Sequence, residues 1–222
     1  MKRQVIQTAD GSKTLFVPEM NEQYHSVNGA LTESDYVFLK QGYLHHPSPS
    51  PVVFEVGFGT GLNALVTALK AEEQKRSTTF ISIEKYPIST AEIENLDYGK
   101  IISDKAVDLF QKLHAADWNK EVKISEYFTL HKVEADLTKL AIKNLGPFDV
   151  IYFDAFAPDK QPQLWQAEIF DRIFEASKIG AIFVTYSAKG SIRRQLISSG
   201  FSIERLSGPP GKRQMLRGVR LA

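Results

Sequence analysis

The chain has 222 residues, of which 43% are hydrophobic and 24% charged, and a formal net charge of +1; this balance fits one globular domain with a sizeable core, or one domain with a small extension. Because the chain has no cysteine, disulfides, thiolate metal sites, iron–sulfur clusters and cysteine nucleophiles are excluded. It has no run of about 18 uncharged apolar residues and no apolar segment after its two N-terminal basic residues, so we expect neither a membrane span nor a secretory signal, and a cytoplasmic protein.

The first fifty residues are polar and rich in turn-forming residues, and they end in HHPSPSP, which is typical of a linker. Within them, SDYVFLKQGYL has apolar residues at helical spacing after a Thr/Ser start signal, which predicts a short helix. We therefore expect residues 1–50 to form an N-terminal extension and residues 51–222 to form the main domain.

From residue 51 onward, short β-branched runs alternate with helical patterns. Strands are predicted at VVFEV (52–56), TTFISIE (78–84), around FTLHKVEAD, at FDVIYFD (148–154), at AIFVTYS (181–187), at FSIERL and at QMLRGVRL. Helices are predicted at LNALVTALKAEEQ, around AVDLFQKLHAADW, at QLWQAEIFDRIFEAS and at SIRRQLISSG.

Strands that alternate with helices imply a mostly parallel sheet covered on both faces. The last two strands break this pattern because only SGPPGKR separates them, as in the sheet of class I methyltransferases. We predict a Rossmann-like class I methyltransferase fold of the α/β class, with a seven-stranded, mostly parallel sheet, an antiparallel last strand and helices on both faces.

The segment FEVGFGTGLN places three glycines directly after the first predicted strand of the main domain. The dinucleotide-binding fingerprint needs glycine or alanine at position 62, where this chain has leucine. The spacing G-x-G-x-G, with Glu55 two residues before it, is typical of methyltransferases: glycines let the backbone approach a nucleoside, and the acid attracts the ammonium group of S-adenosylmethionine. The alternative is a simple strand-to-helix turn. The predicted cofactor-binding residues of this segment are Glu55, Gly57, Phe58, Gly59, Gly61 and Asn63.

Two further acids follow predicted strands. Glu84 ends the second strand, where a carboxylate can accept both ribose hydroxyls, and Asp136 follows the third, where it can meet the adenine amino group. Each alone is more often a surface acid. Since ligands of open α/β sheets bind at the carboxyl edge of the strands, the three acids together predict S-adenosylmethionine as the cofactor.

Asp154 follows the fourth strand, at the position where class I enzymes hold the methyl acceptor. Methyl transfer to an amine needs a neutral nitrogen, and a carboxylate can take up the proton of the ammonium. Burial and nearby charges act in opposite directions on the pKa values, and the sequence leaves open which prevails. Phe156, Pro158 and Trp165 are candidate acceptor contacts. The alternatives are a loop or capping acid for Asp154 and core packing for the two aromatic residues.

Four strings, EVGFGTGLN, YFDAFAPDKQPQLW, RRQLISSGF and GPPGKRQMLRGV, resemble the methyltransferase module of the bacterial tRNA 5-methylaminomethyl-2-thiouridine biosynthesis family. The string YHSVNGALTESDYVFL also resembles that family's N-terminal segment, so the resemblance covers nearly the whole chain. It implies methylation of the 5-aminomethyl group on the wobble uridine of tRNA by S-adenosylmethionine, with Asp154 as the catalytic aspartate. It also implies that Tyr24, Ser26 and Asn28 lie in a segment that closes over the cofactor.

Bifunctional members of that family continue into an FAD-dependent oxidase, whereas this chain has one glycine loop. We therefore expect a free-standing form without flavin, and a separate oxidase or other enzyme that supplies the aminomethyl substrate. The five histidines lack metal-ligand spacing, so we expect no metal.

The chain is basic from Lys189 onward, with eight basic residues against the single acid Glu204. This pattern alone also fits a solvated surface, but a tRNA substrate favours phosphate contacts. The predicted tRNA-contacting residues are Lys189, Arg193, Arg194, Lys212 and Arg213. Two other functions stay open: a small-molecule amine methyltransferase or aminopropyltransferase on the same fold, and a catalytically silent RNA-binding module.

Overall fold

The computed structural model describes residues 2–222. Its strands, in chain order, are β1 Gln4–Gln7, β2 Lys13–Val17, β3 Glu22–Gln23, β4 Val52–Val56, β5 Thr78–Glu84, β6 Lys120–Ser125, β7 Phe128–Glu134, β8 Phe148–Phe153, β9 Ser177–Thr185, β10 Phe201–Ser207 and β11 Gln214–Arg220. Its α-helices are α1 Ala30–Glu33, α2 Leu62–Gln74, α3 Thr90–Leu96, α4 Tyr98–Ile102, α5 Asp104–Ala115, α6 Ala167–Glu175 and α7 Gly190–Ser198. A π-helix spans Ser34–Lys40, and 3-10 turns span Tyr43–His45, Ile142–Asn144 and Pro162–Trp165.

The main sheet has the strand order β10-β11-β9-β8-β4-β5-β7-β6. The five central strands pair in parallel, and β11 lies antiparallel between β9 and β10. The predicted class, the mostly parallel sheet and the antiparallel ending are confirmed. The sheet has eight strands rather than the predicted seven, because β6 adds an antiparallel edge. Its sequence, KEVKIS, is mostly polar and buries only Ile124, so it lacks the apolar run by which the other strands were recognised.

The parallel register brings several strand ends to one edge of the sheet. Val56 of β4 pairs with Ile83 of β5 and with Phe153 of β8, and Glu84 of β5 pairs with Glu134 of β7. The segments that follow these four strands therefore leave the sheet side by side.

Helices cover both faces of the sheet, as predicted. Buried residues of α2 and α5 belong to one core, and those of α6 and α7 belong to another on the opposite face. Helix α2 has the predicted bounds, whereas α6 begins four residues later than the predicted QLWQAEIFDRIFEAS, after the turn that contains Pro162. Pro162 opens that turn, where a missing N–H costs no hydrogen bond, and the extended backbone of Gln166 separates the turn from α6.

The N-terminal segment contains structure that the sequence did not indicate. Strands β1, β2 and β3 form a separate three-stranded antiparallel sheet. The short helix predicted at SDYVFLKQGYL is the π-helix Ser34–Lys40, which α1 precedes and the 3-10 turn Tyr43–His45 follows. Val37, Phe38 and Tyr43 are fully buried in the same core as α2, so this segment shares the core of the main sheet. The division at residue 50 stays a prediction. Within residues 2–222 we find no helix with the length and apolar character needed to cross a membrane.

Candidate active site

The glycine loop after β4 adopts a backbone that needs glycine. Gly57, Gly59 and Gly61 have φ values of 92°, 52° and 74°, in the left-handed region that side chains disfavour. A Cβ atom on Gly57 would lie 2.8 Å from the carbonyl oxygen of Asp154, and one on Gly59 would lie 3.0 Å from the ring of Tyr24. The loop therefore lies directly against the segment after β8.

Side chains from neighbouring strands hold this loop in place. One carboxylate oxygen of Glu84 accepts a hydrogen bond from the Gly59 N–H at 3.0 Å, and the other accepts one from the Tyr86 N–H at 2.8 Å. The ring of Phe58 is buried against His114 and Trp118. The loop is thus preorganised, and the remaining lone pairs of Glu84 are available to a ligand's hydroxyls.

A cavity opens above the loop, which we call the glycine-loop cavity. The predicted residues that line it are Gly57, Phe58, Gly59, Glu84, Asp136, Asp154, Tyr24 and Phe156. Apolar residues Ile83, Leu137 and Leu164 contribute to the walls. Asp136 accepts hydrogen bonds from Thr138 and pairs with Lys85 at 2.9 Å, and these two partners lower its pKa to about 2. It is therefore ionised at neutral pH.

Four predicted cofactor-binding residues do not line this cavity: Glu55, Gly61, Asn63 and Ser26. Glu55 is fully buried, and one of its oxygens accepts a hydrogen bond from the Ser82 hydroxyl at 2.5 Å. Burial raises the pKa of Glu55 well above its usual value. A contact of Glu55 with a ligand's ammonium group stays a prediction.

Asp154 is held at the carboxyl edge by a chain of hydrogen bonds. The Asn63 amide donates to its carboxylate at 2.8 Å, and the Ser34 hydroxyl donates to the Asn63 carbonyl at 2.5 Å, which fixes the orientation of the amide. Burial, followed by the charge of Glu33, raises the pKa of Asp154 to about 8, while Asn63 and Lys212 lower it. The balance that the sequence left open thus falls on the side of burial.

A second cavity of about 300 Å³ lies beside the first, and we call it the Lys212 cavity. Lys212 pairs with the buried carboxylate of Glu33 at 2.6 Å and lies 3.7 Å from the ring centroid of Tyr186. The Ser26 N–H donates to the other oxygen of Glu33 at 2.8 Å. Asn28 and Gly211 also line this cavity.

The two cavities share a wall made of Tyr24, His25, Ala155 and Phe156. The rings of Tyr24 and Phe156 meet edge to face, with their centroids 4.9 Å apart, an arrangement that aromatic pairs favour. Arg3 donates a hydrogen bond to the Tyr24 hydroxyl at 2.9 Å and so connects this wall to the N-terminal sheet. A ligand in one cavity would therefore be adjacent to a ligand in the other.

The other predicted substrate residues lie apart from both cavities. Trp165 is buried in the core against Phe153 and Phe170, and its indole N–H donates to the Phe156 carbonyl at 2.8 Å, so it supports the shared wall from behind. Lys189 pairs with Asp159 at 2.7 Å. The remaining predicted residues that line neither cavity are Pro158, Arg193, Arg194 and Arg213. By contrast, Lys212, predicted as a phosphate contact, lies in a cavity wall beside Ser26.

The structure brings to the site several residues that were not predicted from the sequence. Tyr186 follows β9 by one position, so the strand-end rule that selected Glu84 and Asp136 could have found it. Glu33 and His25 carry no such signal, because they come from a segment outside the parallel sheet. Within residues 2–222 no group of three or more His, Cys, Asp or Glu residues could hold a metal ion.

Comparison with known proteins identifies a matching family and similar proteins of known sequence and structure. The model of a family described as S-adenosyl-L-methionine-dependent methyltransferase matches residues 103–221. The chain is 32% identical over 225 residues to the tRNA 5-methylaminomethyl-2-thiouridine biosynthesis bifunctional protein MnmC of Aeromonas salmonicida, a match that covers 91% of this chain and 33% of that protein. The chain thus spans about a third of the length of the curated relatives it matches.

Two solved structures are similar over nearly the whole chain. MnmC2 from Aquifex aeolicus has a TM-score of 0.85 at 27% identity, and the match covers 100% of this chain and 71% of that one. Spermidine synthase from Thermotoga maritima has a TM-score of 0.58 at 13% identity, covering 99% and 72% of the two chains, which is a likeness of fold alone.

Proposed function

The chain belongs to the S-adenosyl-L-methionine-dependent methyltransferase family, and from this premise we propose that it methylates the amine of 5-aminomethyluridine, 2-thiolated or not, at the wobble position of tRNA. The product is 5-methylaminomethyluridine or its 2-thio form. The observation that carries the proposal is Asp154, a largely buried carboxyl group that lines the glycine-loop cavity and directly precedes Ala155 of the wall shared with the Lys212 cavity. The names of the relatives and of the Aquifex aeolicus neighbour support the choice of substrate.

The glycine-loop cavity fits S-adenosylmethionine. Cβ atoms at Gly57 and Gly59 would meet the Asp154 carbonyl and the Tyr24 ring, so the loop can lie this close to the segment after β8 and to Tyr24 only because both residues are glycine. Glu84 has lone pairs to accept ribose hydroxyls, and Ile83 and Leu137 supply apolar contact for the adenine ring. When bound, S-adenosylmethionine supplies an electrophilic methyl group on its sulfonium.

Asp154 would prepare the acceptor amine for this reaction. An alkyl ammonium has a pKa near 10 and has no lone pair until it loses a proton. Because burial raises the pKa of Asp154 to about 8, its carboxylate is a stronger base than an ordinary aspartate and lies close to the amine in proton affinity. Asp154 therefore takes the proton, and Asn63 and Ser34 keep its carboxylate aimed at the nitrogen.

Features of the site argue against the alternatives. A polyamine would prefer acidic surroundings, whereas the excess of basic residues from Lys189 onward favours a polyanion such as tRNA. The likeness to spermidine synthase is one of fold alone and gives no support to an aminopropyltransferase activity. A silent RNA-binding module would not need a buried, oriented carboxyl group beside a preorganised glycine loop.

The partner in this proposal is tRNA, bound through its anticodon region in the cytoplasm. Arg193, Arg194 and Arg213 lie outside both cavities, where they could meet phosphates around an inserted nucleotide. A separate oxidase or other enzyme would supply the aminomethyl group.

The test is incubation of the purified chain with labelled S-adenosylmethionine and tRNA bearing 5-aminomethyluridine, followed by nucleoside analysis. We expect label in 5-methylaminomethyluridine. Label on free spermidine or another small amine, with none on this tRNA, would refute the proposal; cofactor binding without any turnover would favour the silent module.

A further inference from the structure

The Lys212 cavity contains an ion pair whose hydrogen-bonding capacity is only partly used. Each oxygen of Glu33 accepts one hydrogen bond, from Lys212 at 2.6 Å and from the Ser26 N–H at 2.8 Å, although each has two lone pairs. The ammonium of Lys212 has three protons and gives one to Glu33. Donor and acceptor capacity thus remains side by side in the cavity wall.

A second observation concerns His25, which lies between the two cavities. His25 lines both cavities and is only 6% exposed, and its Nδ1 atom has no hydrogen-bond partner within residues 2–222. Its other ring nitrogen is bonded to the Thr60 hydroxyl at 2.8 Å. Because a buried polar atom without a partner costs free energy, this atom favours a polar occupant between the cavities.

We propose that the Lys212 cavity holds the pyrimidine ring of the acceptor, and that Lys212 and Glu33 select uracil over cytosine. This inference rests on the proposed function. Beside its C5 substituent, uracil presents a 4-carbonyl that accepts a hydrogen bond and an N3–H that donates one. Lys212 supplies the donor and Glu33 the acceptor that this edge requires.

Cytosine presents the opposite pattern at the same two positions. Its 4-amino group would face the Lys212 ammonium, and its N3 lone pair would face the Glu33 carboxylate. Both contacts would leave buried polar groups unpaired, a form of discrimination that is stronger than the loss of one contact. The ring of Phe156 in the same wall provides an aromatic surface against which a splayed base can pack.

The experiment measures binding without cofactor. The ligands are two anticodon stem-loop RNAs that differ only in the wobble residue, 5-aminomethyluridine or 5-aminomethylcytidine. The wild-type chain is expected to bind the uridine RNA at least tenfold more tightly. Lys212→Met should remove about tenfold or more of the uridine affinity and change the cytidine affinity less than threefold, while Lys212→Arg, which keeps a donor, should retain most of the preference.

Lys178→Met is the matched control, because Lys178 pairs with the buried Asp149 at 2.7 Å where β8 and β9 begin, at the opposite edge of the sheet. It should leave both affinities within twofold. Since Lys212→Met leaves Glu33 unpaired, the double variant Glu33→Gln with Lys212→Met is measured as well, with thermal unfolding, and it should also lose the preference.

Equal weakening of both RNAs by Lys212→Met would overturn the inference and identify a phosphate contact instead. An unchanged preference in the folded double variant would overturn it too. Failure of the proposed function is a separate result, because it appears as absence of methylated uridine with the wild-type chain and cofactor, whatever the binding preference.

Discussion

The glycine-loop cavity and the Lys212 cavity share a wall but are assembled in different ways. The first is built mainly from residues that directly follow strands β4, β5, β7 and β8. The second joins the segment around Glu33 to the closing hairpin around Lys212, which are 179 positions apart. A parallel sheet aligns its strand ends by register, whereas the second cavity depends on how the N-terminal segment packs across the sheet.

Asp154 lines the glycine-loop cavity, and its substitution should have the largest effect on turnover. Asp154→Asn keeps the size of the side chain but cannot take a proton, so turnover on aminomethyluridine tRNA should fall by about 10²–10⁴-fold. Since Asp154 serves the acceptor, the affinity for S-adenosylmethionine should change less than threefold. Turnover is measured by nucleoside analysis and affinity by calorimetry; a parallel loss of both would mean that Asp154 serves cofactor binding instead.

The different ways in which the two cavities are assembled explain how much of the site could be predicted from the sequence. Glu84, Asp136 and Asp154 were found because an acid after a buried strand has a known position at the edge of the sheet. Glu33 could not be found, because nothing in ALTESD indicates that its carboxylate is buried against a lysine near the other end of the chain. Lys212 was predicted as a phosphate contact, which stays a prediction; its place in a cavity wall was not predicted, since charge counting does not distinguish an exposed lysine from one in such a wall.

The same limit applies to the fold. Strands β4 and β5 and helix α2 have the predicted bounds, because the two strands are buried runs rich in β-branched and aromatic residues and the helix is long and periodic. Strands β1 and β6 were missed because few of their side chains are buried and the pattern carries little information. Strand β2 was missed although Leu15 and Val17 are fully buried, because it is a short apolar run within a polar, turn-rich segment.

A pair of glycine substitutions tests the contrast directly. Gly57→Ala adds a methyl group 2.8 Å from the Asp154 carbonyl at a φ of +92°, so S-adenosylmethionine affinity should fall about tenfold or more. Gly211→Ala, at a φ of +83° and against the Asn28 side chain, should weaken RNA binding a few-fold and leave cofactor affinity within twofold. Both affinities are measured for both variants. If each substitution weakened both ligands equally, the two cavities would not be separate sites.

The pH dependence of turnover tests the role of Asp154, which lines the glycine-loop cavity. The pKa of Asp154 is raised by burial to about 8, and the base is its ionised form, so kcat/KM should rise with pH and level off above pH 8. With this pKa roughly a tenth of the carboxyl is ionised at pH 7, so the rise is roughly tenfold. In Asp154→Asn the rise of kcat/KM should shift to higher pH, toward the pKa of the amine, near 10. If kcat/KM of the wild type instead rose near pH 4, Asp154 would titrate like an ordinary exposed aspartate, which would contradict this prediction.

The smallest effect is expected outside both cavities, at Arg193 and Arg194, which are among the residues predicted to contact phosphates. Neutralising both to glutamine should weaken tRNA binding a few-fold at physiological salt and reduce the slope of log affinity against log salt by about two, because each phosphate contact releases about one counterion. The preference for uracil and the cofactor affinity should stay unchanged, since neither residue lines a cavity. The control, Lys75→Gln with Lys123→Gln, removes the same charge from exposed positions at the end of α2 and on the edge strand β6. An equal loss of slope in the control would mean that net charge alone, and not this surface, attracts the RNA.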